Sequence, residues 1–476
     1  MHRPPSHRSK VALVLAMSSA IVVAALLVPP LVWAHDTLVR STPAANARLS
    51  RPPTELRLTF TTAVEPRVSR VQLLGPDSLQ VSLGELARHP DSARVLLVPI
   101  AGPLVAGVHT VVWQIVGADG HPVRGSYRFT VLLEAAGAPA PIPGTPRDTD
   151  TVGEPAPHTA HDGSAARPAR FDTRSPLFVL VRWLSYLGVL GAIGATGLRL
   201  LVLPRAGAVV DAERLSGRTA RFGLALAVLT VAAGGLRLVA QTAALSLDGP
   251  FDAGTMRDIV FASGWGAAWL LHMGAAGLAA AGFALAGRGP GAARLGWGIA
   301  ALAVSALAVS LALSGHSAAS PRLPALTVVL DALHVLAAGG WLGALLALAV
   351  VGIPSTLDQP QGERGLAISG LVNAFSPAAL AFAGLAVITG AFAAWVHAGL
   401  PPAFLGAPYG RVLILKVVAL AAVAALGLYN WRWIRPRLAE ERLALRFRRT
   451  ATLELAFGAL VLAATAVLVA TPPPAH

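Results

Sequence analysis

The first residue able to do chemistry in this sequence is a histidine that processing would bring to the N-terminus. Arg3, Arg8 and Lys10 precede an apolar run from Val11 to about Val28, and Val32-Trp33-Ala34 supplies a cleavage site, so residues 1–34 read as a secretory signal. Cleavage after Ala34 would make His35 the first mature residue. An N-terminal histidine offers its α-amino nitrogen and an imidazole nitrogen to one ion, a pair suited to the tetragonal N/O ligand sets of Cu(II). Ala118-Asp119-Gly120-His121-Pro122 would add a carboxylate and a second imidazole. Asp119 and His121 are two apart, so on a strand they share a face, and Gly120 permits a bend between them. The competing reading is an exposed histidine beside an uncleaved anchor.

A second set of candidates lies in apolar surroundings, where each polar group is costly. His272 falls near the middle of one hydrophobic stretch and His334 about ten residues into another, with Asp331 one helical turn before it. Asp331 is placed to orient that imidazole or to share a cation with it. His316 and His397 fall near the outer ends of two stretches, where an interfacial role competes with a ligand role, and Lys416 enters a further one, where it can snorkel outward. For His272 and His334 the reading as ligand or proton relay competes with that of a satisfied packing histidine.

The elements that carry these residues divide into two classes. The chain has 476 residues, 54% hydrophobic and 13% charged, against roughly 25% charged for an average soluble domain. There is no cysteine, which excludes disulfides and thiolate metal sites. The formal charge of +14 is almost all arginine, Lys10 and Lys416 being the lysines. Phosphate-binding glycine loops and basic–aromatic modules are missing, so no nucleic-acid partner is expected, nor is an enzyme.

Residues 35–134 are soluble in character. Glu55–Phe60 alternates with period two, placing Leu56, Leu58 and Phe60 on one face. Val68–Leu74, Arg94–Ile100, His109–Val116 and Ser126–Leu133 read similarly, with Pro52-Pro53, Gly75-Pro76 and Gly102-Pro103 as breaks. The expectation is a small all-β sandwich or barrel with Trp113 in its core, and with His89 and His109 as surface or strand residues. Residues 135–175 turn to Pro, Ala, Gly, Thr and Asp without apolar period, a flexible linker that includes His158 and His161.

Residues 176–471 hold eight apolar stretches near the ~20 residues a bilayer requires, an all-α polytopic domain of eight transmembrane helices. The expected spans are 176–203, 222–247, 259–286, 295–314, 325–351, 372–396, 412–434 and 450–470. With the β domain exported, the inside intervals contain Arg205, Arg214, Arg218 and Arg221, then Arg288 and Arg294, then Arg364, then a group from Arg432 to Arg449. The outside loops hold Arg257, Arg322 and Arg411. That asymmetry obeys the positive-inside rule and puts both mature termini outside a bacterial-type inner membrane.

Both halves resemble known families. His35-Asp36-Thr37-Leu38-Val39-Arg40-Ser41-Thr42-Pro43-Ala44, together with Trp113 through Ala118-Asp119-Gly120-His121-Pro122-Val123 and Gly125-Ser126-Tyr127-Arg128-Phe129, resembles the CopC copper-resistance proteins. The resemblance implies a Greek-key barrel binding Cu(II) through the N-terminal amine, His35, Asp119 and His121, with Glu65 a nearby acid rather than a ligand. Residues 35–134 contain no methionine, so one Cu(II) site and no dedicated Cu(I) site is expected. In the membrane half, Leu313-Ser314-Gly315-His316-Ser317-Ala318-Ala319, Leu333-His334 through Gly339-Gly340-Trp341-Leu342-Gly343, and Tyr409-Gly410-Arg411 through Lys416 with Tyr429-Asn430 resemble the CopD copper-resistance membrane proteins. That implies copper passage across the inner membrane. At His272 the resemblance leads one to expect a basic residue such as arginine.

The function expected is capture of Cu(II) by the outer domain, supplied by periplasmic copper donors, and passage inward through His316, His334, Asp331 and His272. A membrane-anchored copper-sequestering protein without transport is one alternative. A membrane redox protein holding haem between histidines is the other.

Overall fold

The computed structural model describes residues 38–61, 63–117, 122–132, 175–207, 210–246, 250–315, 324–356, 358–398, 408–438 and 441–470. Residues 1–34, the linker with His158 and His161, and His35, Asp119, His121 and His316 lie outside them. The chain forms two compact units, one of strands and one of helices.

The strand unit is a two-sheet sandwich. Its strands are β1 (Leu38–Thr42), β2 (Arg48–Leu49), β3 (Glu55–Phe60), β4 (Arg70–Leu74), β5 (Gln80–Val81), β6 (Ala87–His89), β7 (Ser92–Pro99), β8 (Gly107–Val116) and β9 (Pro122–Val131). One sheet has the order β1-β3-β7-β6 and the other β2-β9-β8-β4-β5. All pairs are antiparallel except β2 with β9. The alternation in β3 acts as its sequence requires: Leu56, Leu58 and Phe60 are buried between the sheets, and Glu55 and Arg57 are exposed. Trp113 fills the core as expected, its ring 5.2 Å from that of Phe60 in an edge-to-face arrangement. It faces Gly125 across the β8–β9 pair, where any side chain would collide with the indole. His109 is a strand residue, fully buried and stacked on Phe129 at 5.4 Å, with Nδ1 donating to Gly107 O at 3.2 Å.

The helical unit contains α1 (Pro176–Gly197), α2 (Ala212–Leu245), α3 (Ala253–Ala262), α4 (Gly264–Ala286), α5 (Pro290–Leu313), α6 (Pro324–Ala338), α7 (Gln361–Ala398), α8 (Pro408–Tyr429) and α9 (Glu441–Leu468). α6 continues through π turns at Gly339–Gly343 and Leu348–Gly352 to Thr356. Eight helices are long and apolar enough to cross a membrane, and α3 is the short exception. The expected third span began at Ile259, but the helix breaks at Ser263. Its backbone is extended there (φ −129°, ψ 152°), and its hydroxyl caps α4 by accepting from Gly266 N–H at 3.0 Å. α1 meets the α6 segment at Gly194 and Gly343, where a Cβ on either would strike the other's backbone. This small-residue crossing brings two helices bearing polar residues close together.

Candidate metal centres

In the β domain the described residues bracket the proposed ligands. β8 and β9 pair out to Val116 opposite Pro122, and the connection between them carries Asp119 and His121. Leu38, three residues after His35, pairs with Phe60 at the end of β3. From that end the chain reaches Val64, which bridges to Gly117. The start of β1 at Leu38 and the paired ends of β8 and β9 at Val116 and Pro122 therefore lie at the same end of the sandwich. Ser69 fastens this end: its hydroxyl donates to Glu65 O at 2.7 Å and accepts from Val116 N–H at 3.0 Å. Glu65 is engaged by Arg88, with Nη2 3.3 Å from its carboxylate and 2.8 Å from Val64 O.

The two intramembrane histidines on described residues share one hydrogen-bond logic. His334 Nδ1 lies 3.0 Å from Ala386 O and 3.0 Å from Thr389 Oγ1, both on α7. A carbonyl only accepts, and the threonine hydroxyl donates to Leu385 O at 2.7 Å. Nδ1 therefore carries the proton, and Nε2 presents its lone pair, the form in which imidazole binds metal. Gly390 gives α7 its close approach to the ring, since a Cβ there would stand 3.1 Å from His334 Cε1. On the other side of the bundle, His272 Nδ1 lies 2.9 Å from Ser310 Oγ on α5, whose proton goes to Leu307 O at 2.7 Å. His272 is likewise a donor at Nδ1, and its buried Nε2 has no hydrogen-bond partner.

Their charged surroundings differ. Asp331 precedes His334 by one turn of α6, and Lys416 on α8 is the charge acting on that histidine. Asp331 is in turn the charge acting on Lys416, and it also acts on Tyr186 of α1. The groups that hold the His334 ring come from α7. Around His272 the acting charge is Arg237 of α2, whose guanidinium lies 5.4 Å from the centre of the Trp265 ring. Among the described residues, no group of three His, Asp or Glu side chains stands ready to hold a metal. His397 belongs to α7.

Sequence reasoning missed several buried polar groups. Arg182 of α1 donates to Ala466 O at 3.0 Å and lies 4.8 Å from the Phe178 ring centre. Glu454 of α9 accepts from Asn430 Nδ2 at 2.6 Å, and Asn430 Oδ1 accepts from Thr450 Oγ1 at 2.6 Å. Arg182, Arg237 and Glu454 all lie inside apolar spans, and that was the signal. It was obscured because arginines were read as markers of the loops.

The CopC domain model matches residues 38–132, the Copper resistance protein D-like N-terminal domain matches 172–323, and Copper resistance protein D matches 369–468. Protein YobA of Escherichia coli K12 is 37% identical over 105 residues, covering 22% of this chain and 85% of that one. Copper transport protein CutJ of Bacillus subtilis 168 is 24% identical over 452 residues, covering 94% of this chain and 76% of that one. A crystal structure of CopC from Methylosinus trichosporium OB3b shares 30% identity over 21% of this chain and 94% of that chain, with a TM-score of 0.20.

Proposed function

Because the chain belongs to the fused CopC–CopD copper-resistance proteins, we propose that its outer domain captures Cu(II) and its membrane domain passes copper inward. It is a copper-handling, multi-pass membrane protein of a copper-binding and transport family. The finer reading assigns residues 35–134 to capture, 135–175 to a tether and 176–471 to passage, with both mature termini outside the inner membrane. Periplasmic copper donors would load the outer domain, and the tether would raise its concentration near the membrane entrance.

Capture rests on the N-terminal amine, His35, His121 and Asp119. The meeting of the β1 and β8–β9 ends supports this set, because residues 35 and 121 need the same end of the sandwich to share one ion. Two imidazoles, an amine and a carboxylate make a hard-to-intermediate N/O donor set, which favours Cu(II).

The single observation that carries passage is His334: its Nδ1–H is committed to α7, its Nε2 lone pair is free, and Asp331 stands one turn away. A cation entering beside Lys416 needs a negative group to offset the ammonium, and Asp331 supplies it. His316 is assigned as an entry ligand, and His272 as a weaker candidate because the family resemblance leads one to expect a basic residue at that position.

The test uses full-length protein reconstituted into vesicles with copper presented on the side of the β domain. Inward accumulation above protein-free vesicles is expected, and Cu(II) titration should show one tight site. Adding one residue before His35, or making His121→Ala, should remove most of that affinity. Binding without accumulation would establish the anchored sequestering protein instead, and a Soret band in the visible spectrum would establish the haem protein.

A further inference from the structure

The outer face of the four-stranded sheet carries two neighbouring arginines. With Leu56, Leu58 and Phe60 turned into the core, β3 presents Glu55, Arg57 and Thr59 on its other face, and β1 presents Arg40 and Thr42 beside Thr59 and Arg57. The register sets Arg40 opposite Thr59 and Thr42 opposite Arg57. The two arginines are thus diagonal neighbours across the strand pair, roughly 7–8 Å apart at their bases and within mutual reach of long side chains. Neither guanidinium has a hydrogen-bond or ion-pair partner among the described residues. Like charges within reach of each other repel, and an anion lying between them would relieve that repulsion.

These residues line a cavity of about 320 Å³ together with His89, Asp91, Ser92 and Val95. His89 contributes a third donor. Its Nδ1 accepts from Asp91 N–H at 3.2 Å, so the neutral ring carries its proton on Nε2. The single carboxylate lining the cavity, Asp91, is 90% exposed and lies 4.0 Å from His89 Nδ1, leaving the two guanidiniums in excess. Arginine presents paired N–H donors that match the oxygens of phosphate and carboxylate groups, and the Thr42 and Thr59 hydroxyls add neutral donors.

We propose that this cavity binds a phosphate-type oxyanion, held between Arg40 and Arg57 with His89 and the two threonine hydroxyls completing its shell. Such a site is separate in residues from the metal-capturing set and does not depend on copper being the cargo. The same chemistry is offered by free inorganic phosphate and by the headgroup of an anionic phospholipid.

The test titrates copper-free, full-length protein in a neutral detergent by calorimetry at constant ionic strength. One arm uses inorganic phosphate and the other uses short-chain dihexanoylphosphatidylglycerol below its micellar concentration. Saturable 1:1 binding of at least one probe is expected. R40Q and R57Q should each weaken it about tenfold or more, because each removes a charge-assisted contact. Phosphate binding that the lipid does not displace identifies a free anion as the ligand; displacement identifies a headgroup. Cu(II) titration of each variant reports that the β domain is still folded. No saturable binding of either probe into the millimolar range, or equal affinity in wild type, R40Q and R57Q, overturns the proposal.

Discussion

Around His272, helices α2, α4 and α5 bring together a serine hydroxyl and a guanidinium. Around His334, α6, α7 and α8 bring together a carbonyl, a threonine hydroxyl, an ammonium and a carboxylate. Both rings are held by Nδ1–H, so in both the Nε2 carries the lone pair. The difference lies in the field. A cationic residue acts on each ring, Arg237 on His272 and Lys416 on His334, and Asp331 acts in turn on Lys416. Two similarly held imidazoles thus stand in different charged surroundings, and copper flux in variants of each tests which of them suits a cation.

The largest effect should separate the two histidines directly. His334→Ala should lower copper flux into vesicles by about 100-fold or more while leaving Cu(II) binding by the β domain intact. His272→Ala should leave flux close to wild type. Equal loss in both would break the comparison, and wild-type flux in His334→Ala would remove that residue from the pathway.

Asp331→Asn keeps the shape and removes the negative charge, leaving Lys416 unopposed. Flux should fall about 10–100-fold. Combining it with Lys416→Met should recover part of the loss, since the cation then faces no ammonium. A double variant no better than Asp331→Asn would mean that the carboxylate acts otherwise than by offsetting Lys416.

Ser310→Ala sharpens the other side of the comparison. It strips the acceptor from the buried His272 Nδ1–H, which should cost about 1–3 kcal/mol of stability in a denaturation experiment. Copper flux by the folded protein should not change. A selective loss of flux at unchanged stability would return His272 to the pathway.

The smallest effect comes from a charge outside the bilayer. Asp358 accepts from Arg218 at 2.7 Å, and this hydrogen bond, with the charges of Arg218 and Arg214, holds its carboxyl below the usual range. A depressed folded value stabilises above the unfolded value of about 4 and ceases to do so as pH falls through the folded value. Wild type should therefore melt slightly above Asp358→Asn at pH 7, and the gap should close as pH is taken well below 4. A gap that persists at low pH would show that packing, not charge, separates the two proteins.

Much of this was legible in local pattern. The alternation of Glu55–Phe60 located a half-buried strand, and the eight apolar stretches located the membrane helices, because side-chain period and span length are properties of short segments. Helix ends were less legible. α2 begins at Ala212 rather than near Phe222, because Asp211 caps it by accepting from Arg214 N–H at 3.0 Å, and a polar first turn carries no apolar signal. The break at Ser263 was invisible for a related reason: hydropathy runs on through a single capping serine.

By itself, the sequence determined the order of a strand domain and a helical domain, the spans, and a short roster of residues able to ligate a metal. Tertiary structure decided which of those residues share surroundings. His272 takes its hydrogen-bond partner from 38 residues away, and His334 takes its partners from 52 and 55 residues away. Arg40 and Arg57 become neighbours only through the β1–β3 register. Periodicity reports which face of an element is apolar, but a tautomer, a counter-ion or an unbalanced charge depends on the side chain opposite, and that is set by packing between elements distant in the chain.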